Sequence, residues 1–255
     1  MDTTDASLPL AGRRALVTGG SRGIGRTIAL ALADAGADVA ITFNRDTVAA
    51  ATTVDEITAR GRVGRSYQGS VVIPADVAWQ MEAAARDLGG LDLVVSNAGA
   101  AGTGDPVVET DAAELERMLR VHAFGPHHVA HAAIPHLRRN ERSDLVFISS
   151  VATDTHPANR APHSMGKAAT EALAHTVAKE ERSRGMHVNI VAPGLVATDM
   201  GMNFARLSGM DLREREERSP FRHMCQPEEV AEAVLFLVTA SYVNDVRLVV
   251  DGGTF

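Results

Sequence analysis

Short apolar runs of strand length alternate with longer stretches whose apolar residues recur every three or four positions, and this alternation fills the 255-residue chain. Residues 15–17, 38–43, 91–95, 145–148, 188–191 and 247–250 read as buried strands. Helical patterns cover 27–35, closed by Gly36, then 74–88, 111–139 and 164–184; a further one opens at Pro227 with Glu228 and Glu229 in its first turn. Strands spaced by helices predict an α/β fold, a parallel sheet with helical crossovers. No internal repeat or low-complexity segment interrupts the pattern. The one irregular stretch, 197–226, is rich in Met, Arg and Glu and follows the Pro193-Gly194 turn. It reads either as a substrate lid over a cleft or as a surface excursion without a role.

The first strand runs directly into Thr18-Gly19-Gly20-Ser21-Arg22-Gly23-Ile24-Gly25, after which a helix begins. Such a turn lets backbone amides approach a pyrophosphate closely and aims the partial positive charge of a helix N-terminus at it. Tight turns elsewhere use glycine for backbone freedom alone. The strand before this one, the helix behind it and the second strand at 38–43 favour a nucleotide cofactor.

The length suits one domain spanning 1–255 with a full core. Hydrophobic residues make up 45% of the chain, yet no apolar run approaches bilayer length, so no membrane association is expected. Residues Met1 to Ser7 have neither the basic nor the apolar region of a secretion signal, and the one cysteine, Cys225, has no internal partner; a cytoplasmic location is expected. A formal charge of −7 argues against general nucleic-acid binding, and Arg138-Arg139 reads as a solvated helix end.

Four segments carry a resemblance: Thr18 to Gly25, Ser96-Asn97-Ala98-Gly99 at a strand end, Ser150 with Lys167 beyond it, and Pro193-Gly194-Leu195-Val196-Ala197-Thr198. Asp251-Gly252-Gly253 also matches. In this order and spacing the chain resembles the short-chain dehydrogenase/reductase family over nearly its whole length, and is similar in flavour to 3-oxoacyl-carrier-protein reductases and polyketide ketoreductases. The resemblance implies a single doubly wound Rossmann-type domain with a mostly parallel seven-stranded sheet, helices on both faces, and assembly as a homodimer or homotetramer. It further implies that Gly19, Ser21, Arg22, Gly23, Ile24 and Gly25 line the cofactor phosphates and adenosine ribose. Asn97, Ala98 and Gly99 would pass beside the cofactor. The Pro193-Gly194 segment would complete the site, with Val196 and Thr198 holding the nicotinamide carboxamide.

The end of the second strand selects the cofactor. An acidic residue there would accept from a ribose 2′-hydroxyl and repel a 2′-phosphate, whereas this chain offers Phe43-Asn44-Arg45. Arg45 and Arg22 suit charge-assisted bonds to that phosphate, so NADP(H) is expected over NAD(H). Arg45 also reads as an exposed ion pair with Asp46. At the adenine, the family usually has Asp where this chain has Ser70 before Val71; hydroxyl is a weaker acceptor than carboxylate.

The catalytic segment departs from the family pattern of Ser, Tyr thirteen residues later and Lys four after that. The frame gives Ser150, then His163 in place of Tyr, then Lys167, and His122 where an earlier helix usually supplies Asn. The two tyrosines, Tyr67 and Tyr242, lie elsewhere. Reduction of a carbonyl leaves an alkoxide that must gain a proton, the family phenol's task. A neighbouring Lys167 cation should push the His163 pKa below its usual ~6.5, leaving a neutral imidazole, a better base than acid. Three outcomes stay open: His163 protonates the alkoxide, aided by a carboxylate from fold or substrate and favoured at mildly acidic pH; His163 acts as a base in non-redox isomerisation, dehydration or cyclisation; or the site is a silent nucleotide binder. His122 reads equally as catalytic or as a packed helix histidine. The expected partner is a small carbonyl substrate, polyketide-like or otherwise apolar, free or carrier-bound, as the apolar and Met-containing segment Met200 to Met210 suggests.

Three further patterns lead elsewhere. His127 and His131 share a helix face, but no third ligand has suitable spacing, so no metal is expected. Ser150, His163 and Asp154 suggest a hydrolase triad, yet no Gly-x-Ser-x-Gly elbow exists to expose a nucleophile. Ala168, Ala169, Ala172, Ala174 and Ala178 suit either a subunit contact or packing on the sheet.

Overall fold

The computed structural model describes residues 8–207, 213, 216, 217 and 219–254. Seven strands form one sheet: β1 (Arg14–Val17), β2 (Asp38–Phe43), β3 (Gly64–Gln68), β4 (Leu93–Ser96), β5 (Ser143–Ile148), β6 (Met186–Pro193) and β7 (Arg247–Val250). Their order is β3-β2-β1-β4-β5-β6-β7, and every neighbouring pair is parallel. The helices are α1 (Gly23–Asp34), α2 (Thr47–Ala59), α3 (Pro74–Leu88), α4 (Ala112–Leu119), α5 (Gly125–Leu137), α6 (Ala152–Thr155), α7 (Ala161–Glu181), α8 (Asp199–Leu207) and α9 (Pro227–Thr239). This is the doubly wound Rossmann-type architecture, with the strand order reversing between β1 and β4.

Alternation along the strands builds two cores. Ala15, Val17, Val39, Ile41, Leu93 and Val95 face a layer with α1 and α9. Leu16, Ala40, Val94, Leu145 and Phe147 face the layer of α3, α5 and α7. Both faces are covered, which explains why the strands read as continuous apolar runs. The exception is β3, Gly-Arg-Ser-Tyr-Gln, an edge strand that escapes the apolar pattern because Arg65 and Gln68 are exposed to solvent.

The helical stretch at 111–139 is interrupted. Between α4 and α5 the helix widens into one π-type turn over Arg120–Phe124, and His122 sits in it. Arg138 is more than a solvated helix end: its guanidinium forks onto buried Glu181 at 2.8 and 2.5 Å, tying α5 to α7. Of the alanines on α7, Ala174 and Ala178 are buried against the sheet, while Ala168, Ala169 and Ala172 are exposed. Among the described residues, no helix is long and apolar enough to cross a membrane. Met210 and part of 197–226 lie outside the described residues.

Candidate active site

Ligands of doubly wound sheets bind beyond the carboxyl ends of the strands near the switch point. Here β1 delivers the glycine turn and β4 delivers Asn97. The Thr18 hydroxyl accepts from the Asn97 and Ala98 amides at 2.9 and 3.0 Å, and Asn97 Nδ2 donates to the Thr18 and Gly19 carbonyls at 2.9 and 3.3 Å. Asn97 therefore stiffens the turn from beneath. A Cβ at Gly25 would lie 2.2 Å from the Gly19 carbonyl oxygen and 2.4 Å from Asn97 Nδ2, so helix α1 reaches the turn only with glycine there.

The α1 N-terminus is kept available. Its capping residue, Arg22, provides no side-chain cap, and no acidic residue occupies the first turn. The amides are thus left for an outside anion. Arg22, Asn44 and Arg45 are exposed, and among the described residues neither arginine has an ion pair. Asp46 does not pair with Arg45; it caps α2, accepting from the Ala49 amide at 3.0 Å. Ser70, partly buried, donates its amide to Asp76 at 2.9 Å, which places a carboxylate beside the position where the family's Asp is missing. Val71 packs on Gly125 and gives its carbonyl to His128 Nδ1 at 2.9 Å. Thr198 lies over the turn, its methyl 3.5 Å from a Cβ placed on Gly23, and its hydroxyl caps α8 through Gly201 at 3.1 Å. Val196 is bridged to Cys225, and Gly194 is held to the Val250 carbonyl at 2.9 Å. The cradle fits a dinucleotide.

The catalytic candidates converge from β5, α7 and the π-type turn. Lys167 is buried and donates from Nζ to the Ile148 carbonyl at 2.6 Å, at the tip of β5. Burial pushes its pKa down to about 8 against a partly compensating pull from Glu171. His163 lies one helical turn earlier on α7, half-buried in a cleft wall. The rings of His122 and His163 meet edge to face with centroids 5.0 Å apart. His122 is enclosed: its Nε2 lies 2.9 Å from the Ala100 carbonyl, Thr170 donates to its own carbonyl, and Gly166 passes so close that a Cβ would lie 2.6 Å from the His122 Cβ. Nδ1 of His122 is buried and has no protein partner.

Both imidazoles are neutral at physiological pH. Burial pushes His122 down to about 3, with Lys167 adding to the effect. Burial, then the charges of His122, Lys167 and Arg160, push His163 down to about 2. The first-turn position on α7 adds helix-dipole repulsion in the same sense. Among the described residues no carboxylate pairs with His163; the charged groups that act on it most are the Lys167 and Arg160 cations. Asp154 in particular pairs with Arg247 at 2.6 Å, which removes the hydrolase triad.

Ser150 follows β5, its hydroxyl accepting from the Ala152 amide at 3.2 Å. No motif along the chain foreshadows the network beneath it. Glu171 accepts from Ser149 at 2.6 Å, Thr153 at 3.0 Å and Arg247 at 2.8 Å, and Arg247 reaches the Ser150 carbonyl at 3.3 Å. Arg160, before α7, was equally illegible. On α5, His127 and His131 stack 6.3 Å apart, and among the described residues no group of three metal-ligating side chains is assembled.

Comparison with known proteins places this geometry. The family model described as enoyl-(acyl carrier protein) reductase matches residues 19–254. The chain is 34% identical to versicolorin reductase of Emericella nidulans over 257 residues, covering 96% of this chain and 97% of that protein. It is 30% identical to the 7alpha-hydroxysteroid dehydrogenase of Escherichia coli, covering 97% and 96%. Among solved structures, a short chain dehydrogenase from Burkholderia cenocepacia in complex with NADP superposes with a TM-score of 0.88 at 32% identity, covering 96% of this chain and 98% of that one. A 7 alpha-hydroxysteroid dehydrogenase complexed with NADH and 7-oxo glycochenodeoxycholic acid gives 0.87 at 28%, covering 99% and 98%. A glycine turn braced by Asn97, a lysine bound to the tip of β5 and a match across the whole sheet make this chain a member of the short-chain dehydrogenase/reductase family, oxidoreductases built around a nicotinamide dinucleotide.

Proposed function

We propose that the protein is an NADP(H)-dependent carbonyl reductase acting on a small ketone, polyketide-like or otherwise apolar, free or carrier-bound. It works as one domain over 1–255, in the cytoplasm, as a homodimer or homotetramer, with 197–226 as substrate lid. One observation carries the reading: His163 and Lys167 stand one turn apart on α7, and Lys167 is anchored to the β5 tip. When bound, the nicotinamide dinucleotide supplies hydride to the carbonyl carbon. The turn from Gly19 to Gly25 holds the pyrophosphate, and the unpaired Arg22 and Arg45 attract the 2′-phosphate. Lys167 holds the nicotinamide ribose, and Val196 and Thr198 orient the carboxamide.

Ser150 Oγ and an imidazole N–H of His163 donate to the substrate oxygen. Because burial and the Lys167 and Arg160 cations keep His163 neutral, it acts as an electrophile through its N–H rather than as an imidazolium. An alkoxide is a far stronger base than water, so a neutral N–H suffices as its partner. Lys167, a cation below about pH 8, holds the proton reserve one helical turn away. A second reading follows from the same depressed pKa: a free imidazole at neutral pH also suits base catalysis without redox, with the cofactor retained as scaffold.

Titration with NADPH and NADH, followed by a carbonyl panel between pH 5 and 9, tests both. Tighter binding of NADPH, lost in R22A/R45A, together with turnover supports the reductase. Binding without turnover leaves the non-redox reading or a silent nucleotide binder, which H163Y separates by gaining reductase activity or losing a native one. Absence of binding sinks both enzymatic readings.

A further inference from the structure

The cleft beside His163 contains a cation whose role the cofactor chemistry leaves unassigned. Arg160 is half-buried, precedes the first turn of α7, and lines the same cleft as His163. Its guanidinium lies 3.8 Å over the ring of Phe204 on α8, so the loop before α7 and the segment after β6 meet at this side chain. Phe204 offers the guanidinium a cation–π contact but no hydrogen-bond acceptor, so its N–H donors are left for another partner. Among the described residues Arg160 has no ion pair.

The two carboxylates of the cleft do not satisfy it. Glu114 is taken by Arg117 at 2.7 and 2.9 Å and by the Thr103 amide at 3.0 Å. Asp105 lines the cleft without pairing with Arg160. The backbone around Arg160 is built at a cost: His156 and Asn159 adopt positive φ of 41° and 63°. A desolvated cation without a counter-ion is unfavourable, and its own pKa is lowered by burial alone. An incoming anion would relieve that desolvation penalty.

We propose that Arg160 is a specificity-determining residue that binds an oxyanion carried by the carbonyl substrate, a carboxylate in the first instance. The inference rests on the reading of the His163 cleft as the carbonyl site. The fork donates two parallel N–H···O bonds to a planar carboxylate, which accepts them. Arg160 and His163 line one cleft, so an anion bound by Arg160 belongs to the substrate whose carbonyl His163 meets. Such an anion neutralises one of the cations that depress His163 while leaving Lys167 to the cofactor side.

Two measurements test this. Steady-state reduction by NADPH is compared for 4-oxopentanoate and its methyl ester with wild type, R160Q, R160K and D105N. The expected result is a wild-type kcat/KM at least about tenfold higher for the acid, expressed in KM. R160Q loses this preference with ester turnover retained, R160K keeps part of it, and D105N leaves it in place. An acid preference that survives in R160Q, or equal use of acid and ester by wild type, overturns the proposal. Ligand-observed NMR with 4-oxopentanoate on the NADP-loaded protein reads binding without turnover. Binding by wild type and not by R160Q, with no reduction, upholds Arg160 and counts against the reductase reading. Absence of binding by wild type overturns Arg160 whatever the activity. Tighter binding in D105N, with R160Q unchanged, would show that cleft acidity, not the guanidinium, governs the site.

Discussion

Lowering the pH from 7 to 5 should weaken the folded protein through His122 by about 2 kcal/mol, and the H122N variant should be spared that loss. His122 is 2% exposed, and burial pushes its pKa to about 3, whereas in the unfolded chain it titrates near the ordinary value of 6.5. The unfolded state alone takes up the proton in this window. Stability contributed by the depressed pKa is therefore present above about pH 6.5 and is lost as the pH falls. The unfolded state gains about 2 kcal/mol of proton binding at pH 5 and almost none at pH 7, a difference of about 2 kcal/mol for one group. Urea unfolding followed by far-UV circular dichroism at pH 7, 6, 5.5 and 5 gives ΔG for wild type and H122N. Asn does not titrate, and His163 and His136, whose pKa values burial also lowers, act on both proteins alike. The gap between the two curves should change by about 2 kcal/mol across the series. Curves parallel to within about 0.5 kcal/mol would refute the claim that His122 is held neutral.

The remaining expectations are shorter. G25A should weaken NADPH binding about tenfold or more in a fluorescence titration, because its methyl must displace the Gly19 carbonyl or Asn97, 2.2 and 2.4 Å away; unchanged affinity would mean the turn is not the pyrophosphate site. The reductase rate should stay flat between about pH 5.5 and 7.5 and fall above about pH 8 as Lys167 loses its charge, since its folded pKa lies near 8. An acid-side limb near pH 6.5 would instead assign an imidazolium to His163. E171A leaves Arg247 with Asp154 alone and strips Ser149 and Thr153 of their acceptor, and should cost roughly 2 kcal/mol by thermal or urea unfolding; E171Q, which keeps an acceptor, should recover part of it.

Much of the fold was written in local pattern. The runs at 38–43 and 247–250 match β2 and β7 residue for residue, because each is a short apolar run opened by one charged residue; β2 is buried on both faces, whereas β7 at the sheet edge is only partly buried. The same logic fails at β3, whose Arg65 and Gln68 are exposed and whose pairing comes from β2 alone. The helix 111–139 reads as continuous because its apolar spacing is; the π-type turn at Arg120–Phe124 arises from how His122 packs against Gly166 and Thr170, 44 and 48 residues away.

The sequence by itself determined the order of strands and helices, the glycine turn, and the substitution of His163 for a phenol four residues before Lys167, since each depends on residues near one another in the chain. Tertiary structure alone decided the charge state and the company of those residues. Burial and the convergence of Lys167 and Arg160 from one helix with His122 from another keep His163 neutral, and the Arg160–Phe204 stack exists only because α8 folds back over the cleft. Electrostatics and desolvation act through space, between groups that no reading of spacing can bring together.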